Sequence, residues 1–254
     1  MLIGGAALAA GAAGWAGVVR LRGGPAPLRT IQAGTLGLTA AALLTHMAQR
    51  GSWLPMRDNF DALLFLALFA VGLPLHVGVT TRRVGWLDAT LPIAAAVLLI
   101  TAGVFGATRP RDYQLDSLWH WAHRVSSYGG AAAFALAAAG GTAYLVLRRR
   151  LRDHADPLPG LGSLSNLDRV TFYAAVTGFA LLTIGLITGV WRWRALGDTA
   201  AADAKIILAV AAWAAYLLVL HTPLHPRFRG RATAGLSIAG FVVMLGVLVT
   251  VQFM

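Results

Sequence analysis

The sequence contains no cysteine and no glutamate, and Lys205 is its only lysine. Without thiols this chain forms no disulfide and no thiolate metal site, carries out no thiol redox chemistry and attaches no c-type haem to itself. Charge is scarce as well, because 12% of its 254 residues are charged, against about 25% in soluble domains. Since 57% of the residues are hydrophobic and the mean hydropathy is +0.68, we expect an integral membrane protein.

Eight apolar segments are each long enough to cross a hydrocarbon core of about 30 Å. They predict an all-α fold, a polytopic membrane bundle of about eight transmembrane helices. The segments lie near residues 2–19, 31–48, 61–80, 86–106, 122–147, 170–191, 203–222 and 232–253. No basic stretch precedes the first segment, so we expect a membrane helix there and not a cleaved signal. The longest connection, roughly Arg148 to Arg169, is too short to separate domains, and residues 1–254 are predicted to form a single integral membrane domain.

Most of the 21 basic residues lie in the loops that follow helices 1, 3, 5 and 7. An excess of arginine in short loops marks the cytoplasmic side of a membrane protein. The pattern therefore predicts a multi-pass protein of a bacterial-type plasma (inner) membrane, with both termini outside (N-out/C-out). Because the net charge of +11 follows this loop pattern, it indicates membrane lipids and not nucleic acid as a partner.

Five of the seven histidines lie within the predicted helices or at their ends, and they fall into two groups by depth. Toward the outer side, His46 ends helix 2, while His120 and His123 begin helix 5 on one face. Toward the inner side, His76 lies late in helix 3 and His221 late in helix 7. A single interfacial histidine is more often structural. Imidazoles that face each other from different helices can ligate a haem iron, and both groups could meet that requirement.

Aromatic and cationic side chains alternate at the outer end of helix 6, as Trp191, Arg192, Trp193 and Arg194. Arginines at this position could bind haem propionates, and lipid phosphates are the alternative on base rates. Asp203 lies at the start of helix 7, where it either contributes to the site or caps the helix. The segment 51–65 is either a short stretch lying on the membrane surface or a connector.

Four segments occur in a characteristic order, and they read PMRDNFDAL (55–63), LDSLWHWAHRVSSYGGAAAF (115–134), GDTAAADAK (197–205) and WAAYLLVLHTPLHPRFRGR (213–231). They resemble P-L-S-N-x-Y-E-S-L, L-x-S-x-W-x-x-x-H-V, W-G-x-Y-W-x-W-D-x-K and W-x-x-Y-x-x-Y-L-H of one family. These are the cytochrome c assembly proteins of the CcsA and HemX-like type (system II), which handle haem in the membrane. The resemblance covers about residues 30–250.

The resemblance implies that haem b is bound by bis-histidine ligation. It maps the family's periplasmic haem-ligand histidine onto His123 and its intramembrane histidine onto His221. The family's Trp-rich loop is degenerate here, because its tryptophan positions carry Leu196, Ala200 and Ala202. Full synthetase activity is therefore not expected, and a haem-binding or haem-transporting role is favoured over an enzymatic one.

We thus expect a haem-handling membrane protein of cytochrome c biogenesis that binds haem and could move it across the membrane. His221 would pair with His76, and His123 with His46 or His120, since the chain stops at Met254, before the point where transferring members carry a second periplasmic histidine. One alternative is a HemX-like accessory or regulatory subunit without transfer activity, and the other is a di-haem transmembrane electron-transfer subunit. The expected partners are haem, lipids and a second membrane protein of cytochrome c assembly or of a respiratory complex.

Overall fold

The computed structural model describes residues 2–22, 28–80, 85–106, 118–153, 162–196, 200–221 and 230–253, and all regular structure in these ranges is α-helical. The all-α fold with eight helices is therefore confirmed. The helices are α1 Leu2–Leu21, α2 Leu28–Gln49, α3 Asn59–Thr80, α4 Gly85–Gly106, α5 Leu118–Arg152, α6 Leu164–Leu196, α7 Ala200–His221 and α8 Arg231–Phe253. Both α5 and α6 begin earlier and end later than predicted.

Five helices are long and apolar enough to cross a membrane, by length and composition over the described residues. These spans are Asn59–His76, Gly85–Val104, Leu118–Arg152, Leu164–Trp191 and Arg231–Thr250. α1 and α7 contain the shorter apolar stretches Gly5–Leu21 and Ile206–His221, and α2 is in neither group. The protein is thus a polytopic helical membrane protein, and its eight predicted spans differ most from the structure at α2.

α2 carries threonine and glutamine side chains on its buried face. Gln32, Thr35 and Thr39 are each at most 3% exposed. Thr35 Oγ1 donates to Ile31 O and Thr39 Oγ1 to Thr35 O, both at 2.8 Å. Gln32 Nε2 donates to Asp88 O of α4 at 3.3 Å. These polar groups find their partners inside the protein, which lets a helix of this composition lie in a bilayer.

The chain forms two compact units. The first contains residues 1–112 and 142–167, and the second contains residues 113–141 and 168–254. α5 and α6 each contribute residues to both units. The predicted organisation as a single domain stays a prediction. Each unit has its own set of close helix contacts.

In the first unit, α1 and α4 pack closely because small residues face each other. A Cβ atom added to Gly17 would lie 2.6 Å from Ile93 Cγ1 and 2.7 Å from Ala89 O, so only glycine fits there. A Cβ atom added to Gly14 would lie 3.4 Å from Ala96 Cβ. The facing positions run in opposite directions along the two helices, so α1 and α4 are antiparallel. Small residues that allow such an approach are typical of helix contacts in membranes.

The last part of α5 belongs to the first unit and contacts the end of α1. Arg150 Nη2 donates a hydrogen bond of 3.0 Å to Leu21 O, although 129 positions separate the two residues. The last carbonyls of a helix have no partner within it, and a cation there also favours the helix dipole. Arg150 therefore caps α1.

In the second unit, four helices meet around one pair of aromatic rings. Phe134 of α5 and Tyr216 of α7 are fully buried and stack with centroids 3.4 Å apart and an interplanar angle of 8°. Gly178 of α6 leaves room for Phe134, and a Cβ atom added to Gly240 of α8 would lie 2.6 Å from the Tyr216 ring. Tyr216 Oη donates to Ser237 O at 3.1 Å, which satisfies its hydroxyl in the core.

Gly17→Ala is expected to lower the free energy of unfolding by roughly 1–3 kcal/mol, because the added methyl group overpacks the contact with α4. The matched control is Gly11→Ala on the same helix, where nothing lies within 4 Å of the added atom. Since alanine is the better helix former, the control should be as stable as the parent or slightly more so. Thermal or detergent-induced unfolding of the purified protein measures both, and equal effects would contradict this packing.

Candidate functional site

His46 lies where α2 ends and α3 begins, within a cluster of four ionisable residues in the first unit. Its Nδ1–H donates to Asp61 Oδ1 at 2.6 Å. Arg50 Nη1 contacts the carboxylates of both Asp61 and Asp58, the latter at 3.0 Å. Asp61 is fully buried and Asp58 is 2% exposed, so water does not compete for these bonds. The Phe60 ring packs edge-on against the imidazole at 4.9 Å.

Two helix-capping motifs bring this cluster together. α2 ends in a Schellman motif, in which Ser52 N donates to Met47 O and Gly51 adopts a φ of 69°. α3 begins with Asp58 as its N-cap, because Asp58 Oδ1 accepts the Asp61 N–H at 2.7 Å. Residues 51–58 contain turns and bends without a helix.

The cluster is closed by Arg50. Ligand atoms of His46, Asp58 and Asp61 lie within 4.8 Å of one another, a set that could hold a metal ion. The guanidinium already supplies positive charge to both carboxylates, and its Nη2 donates to Leu54 O at 2.9 Å. A cation would have to displace it, so we interpret the group as an internal ion cluster. Burial raises the pKa of the Asp58 carboxyl, and the Asp61 N–H hydrogen bond opposes this rise.

His123 is held against α6 in the second unit. Its Nδ1–H donates to Gly185 O at 2.9 Å, with Thr188 Oγ1 at 3.3 Å. The ring also packs on Gly189, where an added Cβ atom would lie 3.0 Å from His123 Cε1. Since a carbonyl oxygen only accepts, Nδ1 must carry the proton in the neutral ring. The lone pair of the neutral ring is therefore on Nε2.

Two further predicted residues lie at the same end of α5 and α6. His120 is half-buried, one turn before His123 on the same helix. Trp191 is 68% exposed and stacks on Trp119, with centroids 6.2 Å apart and an interplanar angle of 15°. The structure thus places His120, His123 and Trp191 at the same end of α5 and α6. The side chains of Arg192, Trp193 and Asp203 lie outside the described residues.

His221 lies at the end of α7, well separated from His123. It is exposed, and its Nδ1–H donates to Leu217 O at 2.7 Å, which again leaves the lone pair on Nε2. Trp213 Nε1 donates to Thr183 Oγ1 at 3.0 Å and sets the register of α7 against α6. His123 and His221 lie on opposite sides of that contact along the helix axes. At about 1.5 Å per residue, the two histidines are on the order of 20 Å apart. These two histidines do not share a site.

His76 lies near the end of α3 and is exposed. It follows Asp61, the partner of His46, by 15 positions, which is about 22 Å along one helix. Within the first unit, His46 and His76 are therefore also at different depths. The predicted pairs His76–His221 and His46–His123 each combine residues of different units and stay predictions.

Sequence reasoning missed the residues that hold the histidines. Around His46 these residues are Arg50, Asp58 and Asp61. The sequence does carry a signal for them, because Gly51 followed by two aspartates three positions apart is typical of a helix end followed by a helix start. Around His123 they are Gly185 and Gly189. In an apolar helix, glycines at that spacing that contact a histidine cannot be distinguished by sequence from glycines that only allow helix packing.

Gly189→Ala is expected to lower the free energy of unfolding by about 1 kcal/mol, because the added methyl group pushes against the His123 ring. In combination with His123→Ala the clash disappears, so the double variant should lose less stability than the sum of the single variants. A coupling of about 0.5–3 kcal/mol is typical of contacting residues. Gly246→Ala, with nothing within 4 Å of the added atom, is the control, and additive effects of Gly189→Ala and His123→Ala would refute the contact.

Comparison with known proteins identifies the family. Residues 56–254 match the family model described as cytochrome C assembly protein. The "Cytochrome c biogenesis protein CcsA" of Microcystis aeruginosa is 30% identical over 211 residues, which cover 82% of this chain and 61% of that protein. Proteins of the same name from two Prochlorococcus marinus strains match more locally. The strain NATL1A protein is 40% identical over 80 residues, covering 31% of this chain and 25% of that protein. The strain MIT 9312 protein is 35% identical over 105 residues, covering 41% of this chain and 34% of that protein.

This chain spans less than two thirds of the length of each of these relatives. The match nevertheless extends from the connector before α3 to the end of α8. It therefore includes the helices that carry His76, His123 and His221. The chain belongs to the cytochrome c assembly protein family.

Proposed function

We propose that this protein binds haem b in the membrane through pairs of histidines and hands it on during cytochrome c biogenesis. One observation supports this most directly. His46, His123 and His221, on three different helices, each donate Nδ1–H to an acceptor of their own unit, which directs the lone pair to Nε2. Metal-ligating histidines are held in this way, with one ring nitrogen donating to a carbonyl or carboxylate.

The separation of the histidines favours two sites. Measured along α6 and α7, the Nε2 atoms of His123 and His221 lie too far apart to ligate one iron. Each histidine therefore needs a second iron ligand from another helix. For His221 the proposed partner is His76. For His123 the sequence predicts His46 or His120, and of these His120 projects from the same face of α5 as His123. When bound, the haem iron would supply the redox chemistry, and the protein's part is ligation and burial of the ring.

The surroundings of His123 suit a flat apolar ligand with acidic substituents. Trp119 and Trp191 offer exposed ring faces beside this histidine. The sequence places Arg192 and Arg194 next to Trp191, where their guanidinium groups could bind propionates. We place the protein in a bacterial-type plasma (inner) membrane with its arginine-rich loops in the cytoplasm. The thiols of an apocytochrome would come from a partner protein, because this chain has none.

A HemX-like accessory subunit without transfer activity is the second candidate. It is favoured by the loop before α7, where the family tryptophans are replaced by Leu196, Ala200 and Ala202. The spectrum of the purified protein separates the possibilities. Loosely held, substoichiometric haem supports handling, absence of haem supports the accessory role, and stoichiometric, reversibly reducible b-type bands would instead support a di-haem electron-transfer subunit.

His123→Ala and His221→Ala should each weaken haem binding by roughly 10-fold or more, since even the loss of an outer partner of a metal ligand costs about 10–100-fold. Haem content and affinity are measured on the purified full chain by titration and by its pyridine haemochrome spectrum. His154→Ala, which changes a histidine outside both groups, is the matched control and should bind haem as the parent does. The proposal fails if the parent binds no haem, or if both variants bind it unchanged.

A further inference from the structure

The charged residues of the first unit are distributed unevenly between its two ends. One end combines the end of α1, the starts of α2 and α4 and the end of α5. The contacts that bring these together are α1 packed antiparallel on α4, Gln32 bound to Asp88 O, and Arg150 bound to Leu21 O. The described charged residues there are Arg20, Arg22, Arg29, Arg148, Arg149, Arg150 and Arg152, with Asp88 and Asp153. At the opposite end, the described residues between His46 and Asp61 include two arginines and two aspartates, so only the first is an arginine-rich end.

We propose that this arginine-rich end binds the headgroup phosphate of an anionic phospholipid through Arg22 and Arg150, while an acyl chain lies along the exposed face of α1. Clusters of arginine at the membrane surface attract anionic lipids. The planar guanidinium also matches the geometry of a phosphate, to which it donates two parallel hydrogen bonds. This inference goes beyond haem handling and does not depend on it.

Arg150 is held in place at the end of α1. It is half-buried, and its Nη2 donates to Leu21 O at 3.0 Å. A guanidinium has five N–H donors, and this hydrogen bond uses one of them. The next residue of α1 is Arg22, whose side chain is exposed. Both guanidinium groups therefore lie where the apolar stretch Gly5–Leu21 ends, which is the level at which a hydrocarbon core gives way to lipid headgroups.

The two aspartates at the arginine-rich end interact with arginines other than Arg22 and Arg150. These interactions join Asp153 to Arg149 at 3.7 Å and to Arg152 at 3.3 Å, and Asp88 to the charges of Arg20 and Arg29. Within the described ranges, neither Arg22 nor Arg150 forms an ion pair with a carboxylate. A phosphate bound between them would provide the negative charge that the chain supplies to their neighbours.

The face of α1 that leads to Arg22 is apolar and open. Leu8, Trp15 and Val18 are 70%, 57% and 42% exposed. Together with Gly11 and Arg22 they recur every three or four positions, which places them on one face of the helix. Nothing lies within 4 Å of a Cβ atom added to Gly11, so the surface between Leu8 and Trp15 is open. An apolar face that ends in a cation is complementary to an acyl chain that ends in a phosphate.

The test measures lipid binding to the purified full chain by native mass spectrometry, with phosphatidylglycerol as the anionic probe and phosphatidylcholine as the zwitterionic one. The parent should bind phosphatidylglycerol more tightly. Arg22→Gln should weaken its binding about fivefold, which corresponds to the contribution of one arginine near an anionic lipid surface. Arg231→Gln is the matched control, because it removes an exposed arginine at the start of α8 in the second unit and should leave this affinity unchanged.

Arg150→Gln should also weaken the binding of phosphatidylglycerol about fivefold. Because Arg150 caps α1 as well, this variant is compared with Arg150→Lys, which keeps the charge and loses the planar fork. Should Arg150→Gln not fold, Arg22→Gln against Arg231→Gln decides. A second readout locates the acyl chain: phosphatidylglycerol brominated on its acyl chains should quench the tryptophan fluorescence of the parent more than that of Trp15→Phe.

Three outcomes would overturn the proposal. The first is equal affinity of the parent for the two lipids, or an equal loss of affinity in Arg22→Gln and Arg231→Gln, because then the charge at this end does not select the lipid. The second is displacement of phosphatidylglycerol by inorganic phosphate at millimolar concentration, which would indicate a site for free phosphate. The third is a dimer whose cross-links join the α1 helices of two copies, since the second copy would then cover the face assigned to the acyl chain.

Discussion

A bilayer offers no hydrogen-bond partners, so each polar group in this protein has to find one within the chain. The threonines of α2 use the carbonyls of their own helix, and Gln32 reaches the backbone of α4. His123 and His221 obey the same constraint, since each binds a backbone oxygen through Nδ1. The requirement that keeps the backbone helical therefore also fixes which ring nitrogen of each histidine is left for a ligand.

His46 differs from the other two because its partner is a charged side chain. Backbone carbonyls hold an imidazole in place with little effect on its charge, whereas a buried carboxylate changes its chemistry. The helix caps at Gly51 and Asp58 are what allow Asp61 to reach the ring. Local capping chemistry and the character of a candidate ligand are thus determined by the same few residues.

The helices and the family could be predicted from the sequence, because the length of apolar segments and the order of four motifs can be read without knowledge of contacts. The sequence also predicted that His46 and His76, and likewise His123 and His221, lie at different depths, since depth follows from position along a helix. It could not predict that Asp61 faces His46, because that contact depends on the angle between α2 and α3, which the connector after Gly51 sets. Nor could it predict that His123 contacts Gly185 and Gly189, since the sequence does not show which residue packs on a glycine-rich helix face.

The hydrogen bond from Arg150 to Leu21 has a consequence for biosynthesis. Its two residues are 129 positions apart, and residues 142–167 complete a unit whose other members are all within the first 112 residues. A ribosome that adds about 5–20 residues per second delivers the closing segment on the order of ten seconds after α1. During that interval the early helices lie in the translocon or the lipid without their last neighbour.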